Sequence, residues 1–435
     1  MKSRYSRRHL SRLAVVSFLV IFAAAAISTA HAQTENVLFA IQGSTDGSAP
    51  HGGVALDSAG NLYGTSQYGS TYGSCCGAAW ELSPDGRGGY SETVLHTFIG
   101  KGGGGYPYAG LVLDGAGNLY GTASTGGNLS SCNGQGCGVV FKLSPNGSGG
   151  WTETVIRAFS GGRDGATPWA GLILDAAGNL YGTTSAGGKY GYGVVFELSP
   201  SSGGNWTETV LHGFTNGNDG GTPYSALTMD SAGNLYGTTL GGGIQTCSYL
   251  VTGCGVVFEL SPVSGAGWKE SVLHFFNNTY GQAPEGGVVF DAAGNLYGTT
   301  VVGGENGGCD GSGCGVVYKL APTKSGQWQF TAIHQFTDTS QSKGFYPEGN
   351  LSIDASGDIY GTTSEGGTCL LGTIYKLTPG SSGGYGETIV HAFGCNSTDG
   401  ATPLSGMVFD ALGNLYGTTS QGGTNSSGTV YKFTP

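Results

Sequence analysis

Basic side chains are scarce. The chain holds 17 Lys and Arg against 28 Asp and Glu over 435 residues, and only 10% of positions carry charge. A surface so poor in cations repels phosphate backbones and anionic headgroups, which argues against nucleic acid and lipid surfaces as partners. Extended 3.6-residue apolar periodicity is also missing, so long amphipathic helices are not expected. No H-E-x-x-H and no Walker loop occurs, and the cysteine spacings lack the C-x2-C knuckle of zinc sites. What fills the chain instead is glycine, 86 residues of it, between short β-branched and aromatic runs. That composition reads as all-β.

The first 32 residues stand apart. Lys2, Arg4, Arg7, Arg8 and Arg12 precede an apolar run from Leu13 to Ile27, and Ala30-His31-Ala32 forms an A-x-A cleavage signature. The run is shorter than the roughly 20 residues a spanning helix needs, so we expect a cleaved export signal over 1–32 and no membrane insertion afterwards. "SRRHLSR" (6–12) also resembles a twin-arginine motif, leaving the export route open. Removing this segment leaves 12 basic against 28 acidic residues, a net charge of -16. A periplasmic, cell-surface or extracellular location follows. Ten cysteines in an exported chain read as disulfides. Cys132 with Cys137, Cys247 with Cys254, and Cys309 with Cys314 each bracket a short loop, and Cys369 with Cys395 forms a longer candidate pair. The adjacent Cys75-Cys76 are compatible with a vicinal disulfide, two separate pairings or two thiols.

Internal repetition decides the fold. "DSAGNLYGT" at Asp57 returns in variant form at Asp114, Asp175, Asp230, Asp291, Asp354 and Asp410, seven copies at spacings of 57, 61, 55, 61, 63 and 56. Each unit carries four strand-like runs, a to d, as in "AGLILD" (170–175), "NLYGTTS" (179–185), "GVVFELSP" (193–200) and "WTETVLHGF" (206–214). The D-x-A-G-N joint suits a tight hairpin between a and b. The seventh unit stops after its c run, "GTVYKFTP" (428–435), while "ENVLFAI" (35–41) precedes unit one as an isolated d run. We therefore expect a seven-bladed β-propeller with four antiparallel strands per blade, residues 33–435 forming one domain closed by pairing of the N-terminal strand with the last blade. An open solenoid would instead need distinct capping repeats.

The "GLVLD-x-AGNLYGTTSxGG", "GVVFKLSP" and "ETVLHxF" blocks resemble the GloVer tandem-repeat family of exported bacterial proteins, over essentially all of the chain after the signal. The D-x-x-G-N-x-Y kernel is similar to that of NHL-type propellers, a resemblance that implies binding of ligands or partners and sometimes catalysis. Members of the repeat family carry varied C-terminal anchors. The chain here reaches Pro435 without an anchor helix, which implies a soluble protein or one held by a partner.

Repetition also sorts structure from chemistry, because a residue type found at one position in most units serves the framework. His96, His212, His274, His334 and His391 share one place in run d and read as packing or hydrogen-bonding residues. Trp80 shares a place in run c with Phe141, Phe196, Phe258, Tyr318, Tyr375 and Tyr431, while Trp151, Trp206, Trp268 and Trp328 open run d. His51 and Trp169 remain, and both directly follow the proline that leads into run a. The full set at that position is His51, Tyr108, Trp169, Tyr224, Glu285, Glu348 and Leu404, which varies in chemistry while its neighbours stay constant. In a propeller this position lines the rim of the central channel. The aromatics there suit stacking on sugar rings, and the acids suit hydroxyl groups. Drift at an unconstrained exposed position is the plainer account.

From these residues we expect a binding or interaction module for a carbohydrate or protein partner, acting as a monomer. The alternative is a carbohydrate-active lyase or hydrolase using Glu285 and Glu348. No catalytic set, metal-ligand set or cofactor is identified. Calcium held by backbone carbonyls with Glu285 or Glu348 is the one ion considered, and no D-x-D-x-D-G loop backs it.

Overall fold

The computed structural model describes residues 33–435 apart from 70–74, 248–251, 266, 306–307, 310, 338–341 and 382. The export signal expected over 1–32 lies outside the described residues. Seven four-stranded antiparallel sheets follow one another along the chain. Blade 1 orders strand a (Ala55–Leu56), b (Leu62–Ser66), c (Ala78–Pro84) and d (Tyr90–Thr97), and the pattern repeats through blade 6. Blade 7 takes a, b and c from Val408–Phe409, Leu415–Thr419 and Thr429–Thr434, and its d strand from Thr34–Ala40.

That last pairing joins the two ends of the propeller. Glu35 lies opposite Phe433, Val37 opposite Tyr431 and Ala40 opposite Thr429, and the Ile41 N–H extends the ladder to the Gly428 carbonyl at 3.0 Å. The register slips between Val37 and Phe39. In blade 3 the same slip falls between Val210 and His212, passing over Leu211. The N-terminal strand is thus a d strand down to its bulge, a local device that turns Leu38 toward the core.

Strand a is shorter than the sequence implies, with two residues paired per blade rather than six. Crowding at the axis explains this. Neighbouring inner segments approach so closely that a Cβ on Gly52 would land on the backbone of Gly110, and one on Gly406 would come 2.6 Å from the Asn350 carbonyl. The two residues after each proline-X step into strand a, such as Gly52-Gly53, Ala109-Gly110 and Gly349-Asn350, are glycine, alanine, serine or asparagine in all seven blades.

The repeat kernel is a set of local and inter-blade fastenings. Asp57 accepts from the Ala59 and Asn61 N–H groups at 2.9 and 2.8 Å, and its other oxygen accepts from Asn61 Nδ2 and the Tyr63 hydroxyl. This closes the a-to-b turn. Glycine follows the tyrosine because the strand c aromatic packs beneath it: at Gly182 a Cβ would sit 2.7 Å from Phe196 Cζ. Threonine comes next and reaches the following blade. Thr65 Oγ1 donates to Ala109 O at 2.8 Å, Thr122 to Ala170 O at 2.9 Å, Thr238 to Gly286 O at 3.0 Å, Thr362 to Ser405 O at 3.0 Å and Thr418 to Gly52 O at 2.9 Å. Thr183 and Thr299 make the longer equivalents. Hydrogen bonds therefore run the whole way round the channel.

Apolar cores lie between blades. Val139 and Phe141 of blade 2 pack with Tyr63, Ala79 and Phe98 of blade 1, and Tyr63 meets Trp151 edge to face at 6.4 Å. Trp80 is fully buried and its indole N–H donates to Ser66 Oγ at 3.0 Å.

Candidate functional site

Each d-to-a loop enters its inner strand through a left-handed residue followed by proline. The seven are Ala49, Tyr106, Thr167, Thr222, Ala283, Tyr346 and Thr402, with φ between 53° and 59°. None is glycine, and such a conformation costs energy that the surroundings must offset. Proline contributes by barring the right-handed helical alternative for the residue before it. Hydrogen bonds on both sides do the rest. The Tyr106 N–H donates to Cys76 O at 2.8 Å, Thr167 to Cys137 O at 2.8 Å, Ala283 to Cys254 O at 3.3 Å and Tyr346 to Cys314 O at 3.1 Å. The carbonyl of each left-handed residue accepts from the end of its own strand b, as in Ser124 N to Tyr106 O at 3.2 Å.

The disulfides lie at these anchor points. Bonds Cys75–Cys76, Cys132–Cys137, Cys247–Cys254 and Cys309–Cys314 each include a cysteine whose carbonyl holds the next blade's left-handed residue, and Cys369–Cys395 ties the b-to-c loop of blade 6 to its d-to-a loop. Of the readings open for Cys75 and Cys76, the vicinal bond is the one formed. Two residues beyond each left-handed position stands the rim residue, aimed by a braced backbone.

All seven rim residues line one central cavity of about 660 Å³. They surround it in blade order, with the small inner-wall residues as its floor. His51 meets Tyr108 edge to face at 5.0 Å, Tyr108 stacks on Trp169 at 4.0 Å with 28° between planes, and Trp169 leans on Tyr224 at 5.0 Å and 39°. The arc spans four blades. Its rings spend their faces largely on one another, and Tyr224 also packs against Leu240, Ala283, Val301 and Val302. One end is Tyr224, next to Glu285; the other is His51, next to Leu404.

Burial sets the electrostatics of the chamber. It pushes the Glu285 carboxyl up to about 8, helped by the charge of neighbouring Glu348. Burial raises Glu348 as well, against a hydrogen bond with Ser364. His51 is driven down to about 4 for the same reason, and the Tyr108 hydroxyl up to about 12. At neutral pH the chamber thus holds a neutral imidazole and a protonated Glu285, within a chain of formal net charge -11. A carboxylic acid donates and accepts hydrogen bonds, as hydroxyl-bearing ligands require.

Sequence reasoning missed the partners behind the rim. Gln67 is buried against Tyr108 with its Oε1 lacking a hydrogen bond, and Ser364 supports Glu348. Both follow the Y-G-T block at the end of strand b. That position reads Gln67, Ser124, Ser185, Leu240, Val301, Ser364 and Ser420, a second variable column that was available to inspection.

A seven-bladed propeller with a closed ring and a chamber at the channel mouth is the class this geometry defines. The Gloeobacter/Verrucomicrobia repeat matches residues 23–251 and 244–435, and the chain belongs to that family. No curated protein matches it. Among solved structures it is similar to the extracellular domain of a one-component system of B. thetaiotaomicron, at 12% identity and a TM-score of 0.52, covering 92% of this chain and 39% of that one. It is also similar to a fungal alcohol oxidase of the AA5 family in complex with copper, at 14% identity and a TM-score of 0.53, covering 93% of this chain and 76% of that one. The chain spans well under half the length of the first neighbour. At these identities both likenesses concern the fold.

Proposed function

We propose that this protein is an exported binding module whose channel-mouth chamber takes a neutral, hydroxyl-rich ligand, a carbohydrate. Residues 1–32 act as its export signal, and five disulfides suit an oxidising compartment. The observation that carries the reading is the junction of Tyr224 with Glu285 and Glu348: the last ring of the arc beside two carboxyls raised by burial, in one cavity. A sugar ring packs against such an aromatic while its hydroxyls pair with the acids.

Glu285 and Glu348 are also the pair a lyase or hydrolase would use, and the charge of Glu348 helps keep Glu285 protonated. An assay separates the two readings. The test is retention on a panel of neutral and acidic polysaccharides with parallel assay of reducing ends. Tyr224→Ala should weaken retention of the bound glycan about tenfold, the worth of one aromatic contact, and no reducing ends should form. Retention of no glycan, or unaltered retention by the variant, would remove the carbohydrate reading in favour of a protein partner; release of product would favour the lyase or hydrolase.

A further inference from the structure

The outer seams between blades gather charged side chains. In several of them a strand d side chain faces an acid at the start of the next blade's strand d, as His96 faces Glu153 at 3.9 Å and His334 faces Glu387 at 3.4 Å. Between blades 2 and 3 that side chain is Arg157, on Trp151–Ala158, whose Nη2 lies 2.6 Å from Glu208 Oε2 and 2.6 Å from Asp164 Oδ2 in the following loop. Between blades 5 and 6 the cation is Lys343, with Nζ 2.6 Å from Glu387 Oε2. Between blades 4 and 5 Phe330 replaces the acid, and His274 stacks on it at 3.9 Å. Between blades 3 and 4 His212 Nε2 lies 3.3 Å from Asp219 Oδ2, and the charge of Asp219 bears on Glu270.

The seam between blades 6 and 7 likewise has the carboxylates without a lysine or arginine, and it alone among the described residues brings the histidine and both acids together. His391, on Tyr385–Ala392, places Nε2 3.3 Å from Asp399 Oδ2 and 3.9 Å from Glu35 Oε2. Asp399 and Glu35 occupy the places of Asp164 and Glu208. Their side chains are 3% and 8% exposed, and Glu35 Oε1 has no hydrogen-bond partner. Asp399 is held from behind by the Gly394 and Gly400 N–H groups at 3.0 and 2.8 Å. One imidazole nitrogen and two carboxylate oxygens lie within 4.8 Å of one another, the single such trio among the described residues. Ligand atoms around a tetrahedral Zn²⁺ are about 3.3 Å apart, given bonds of about 2.0 to 2.2 Å. The His391 to Asp399 separation already matches that spacing, and Glu35 closes the remainder from 3.9 Å to His391.

We propose that Glu35, His391 and Asp399 form a binding site for a divalent first-row metal of the Zn²⁺ type, which rivets the N-terminal strand to blade 6. The donor set selects the ion: an imidazole suits zinc and its neighbours, whereas calcium prefers oxygens alone. A metal here replaces the covalent cation that Arg157 supplies in the equivalent seam. It also fastens the one d strand that is not continuous with the rest of its blade. Ligands from 364 positions apart are drawn together only in the closed ring, so binding favours closure.

The test uses the untagged full chain, stripped with EDTA and titrated with ZnCl₂ by calorimetry at pH 7.5. One equivalent should bind, the melting temperature should rise, and amide exchange over 34–41 should slow. His391→Arg rebuilds the Arg157 arrangement; it should fold at least as stably as the metal-free parent and lose zinc affinity by a hundredfold or more. Glu35→Gln, nearly isosteric, should lose at least tenfold and serves where the arginine variant fails to fold. Absence of stoichiometric uptake, or uptake unchanged in these variants, overturns the proposal and leaves His391 as a simple ion-pair partner.

Discussion

At the residue scale, the repeated strand d acids tie stability to pH. Glu153 lies in the seam facing His96, with Oε2 3.9 Å from Nε2, and opposite Gly103, where other blades carry a loop aspartate. Burial pushes its carboxyl from 4.5 up to about 7. An acid raised on folding stabilises the native state while protonated; the contribution is complete below about pH 4.5 and is lost as pH rises to about 7. Glutamine mimics the protonated form. Glu153→Gln should therefore match the parent near pH 4.5 and exceed it by about 2 kcal/mol at pH 7.5 in urea unfolding. A difference flat across that window would contradict the assignment. The strand d histidines were legible as framework residues, since five copies share one place. The acid partners across the seams, Glu153 for His96 and Glu387 for His334, were not, because each lies one repeat away and the pairing depends on how the blades pack.

Among elements, strand b does most to join neighbours. Its threonine crosses the seam at the channel wall, and Thr122 Oγ1 donates to Ala170 O in a fully buried setting. Thr122→Val keeps the shape and removes the donor, leaving a buried carbonyl with one bond fewer. A loss of about 1 to 2 kcal/mol is expected in chemical denaturation, and a Ser variant should recover most of it. The Y-G-T block was visible in all seven units, yet its purpose was hidden: the glycine makes room for an aromatic 14 to 21 residues on, and the threonine serves the next blade. The rim column, by contrast, was found by subtraction. Its seven members reach one cavity because each stands two residues after a left-handed residue and one after a proline.

For the molecule as a whole, closure is the decisive contact. Residues 34–42 provide Leu38, Phe39 and Ile41 to the core between blades 7 and 1, and cover the edge of Thr429–Thr434. Deleting them should cost about 5 kcal/mol from apolar exposure alone and leave an unpaired edge that promotes self-association. Thermal denaturation and light scattering of the truncated and intact chains would read both effects. An equal melting temperature would show that the strand is not structural. The distance in sequence between the two ends makes this the slowest pairing to form, after the local hairpins.

Blade number, strand order within a blade, the hairpin joints and the identity of the closing strand were all determined by the amino-acid sequence alone. They rest on local chemistry repeated seven times: turn residues that admit positive φ, alternating apolar runs, and a d run displaced to the front. Only the tertiary structure decided that the rim aromatics stack on each other, that burial leaves Glu285 protonated, and that Glu35 meets His391 and Asp399. Those outcomes depend on packing and on desolvation, which arise when distant repeats are bent into one ring, and no single repeat contains the information.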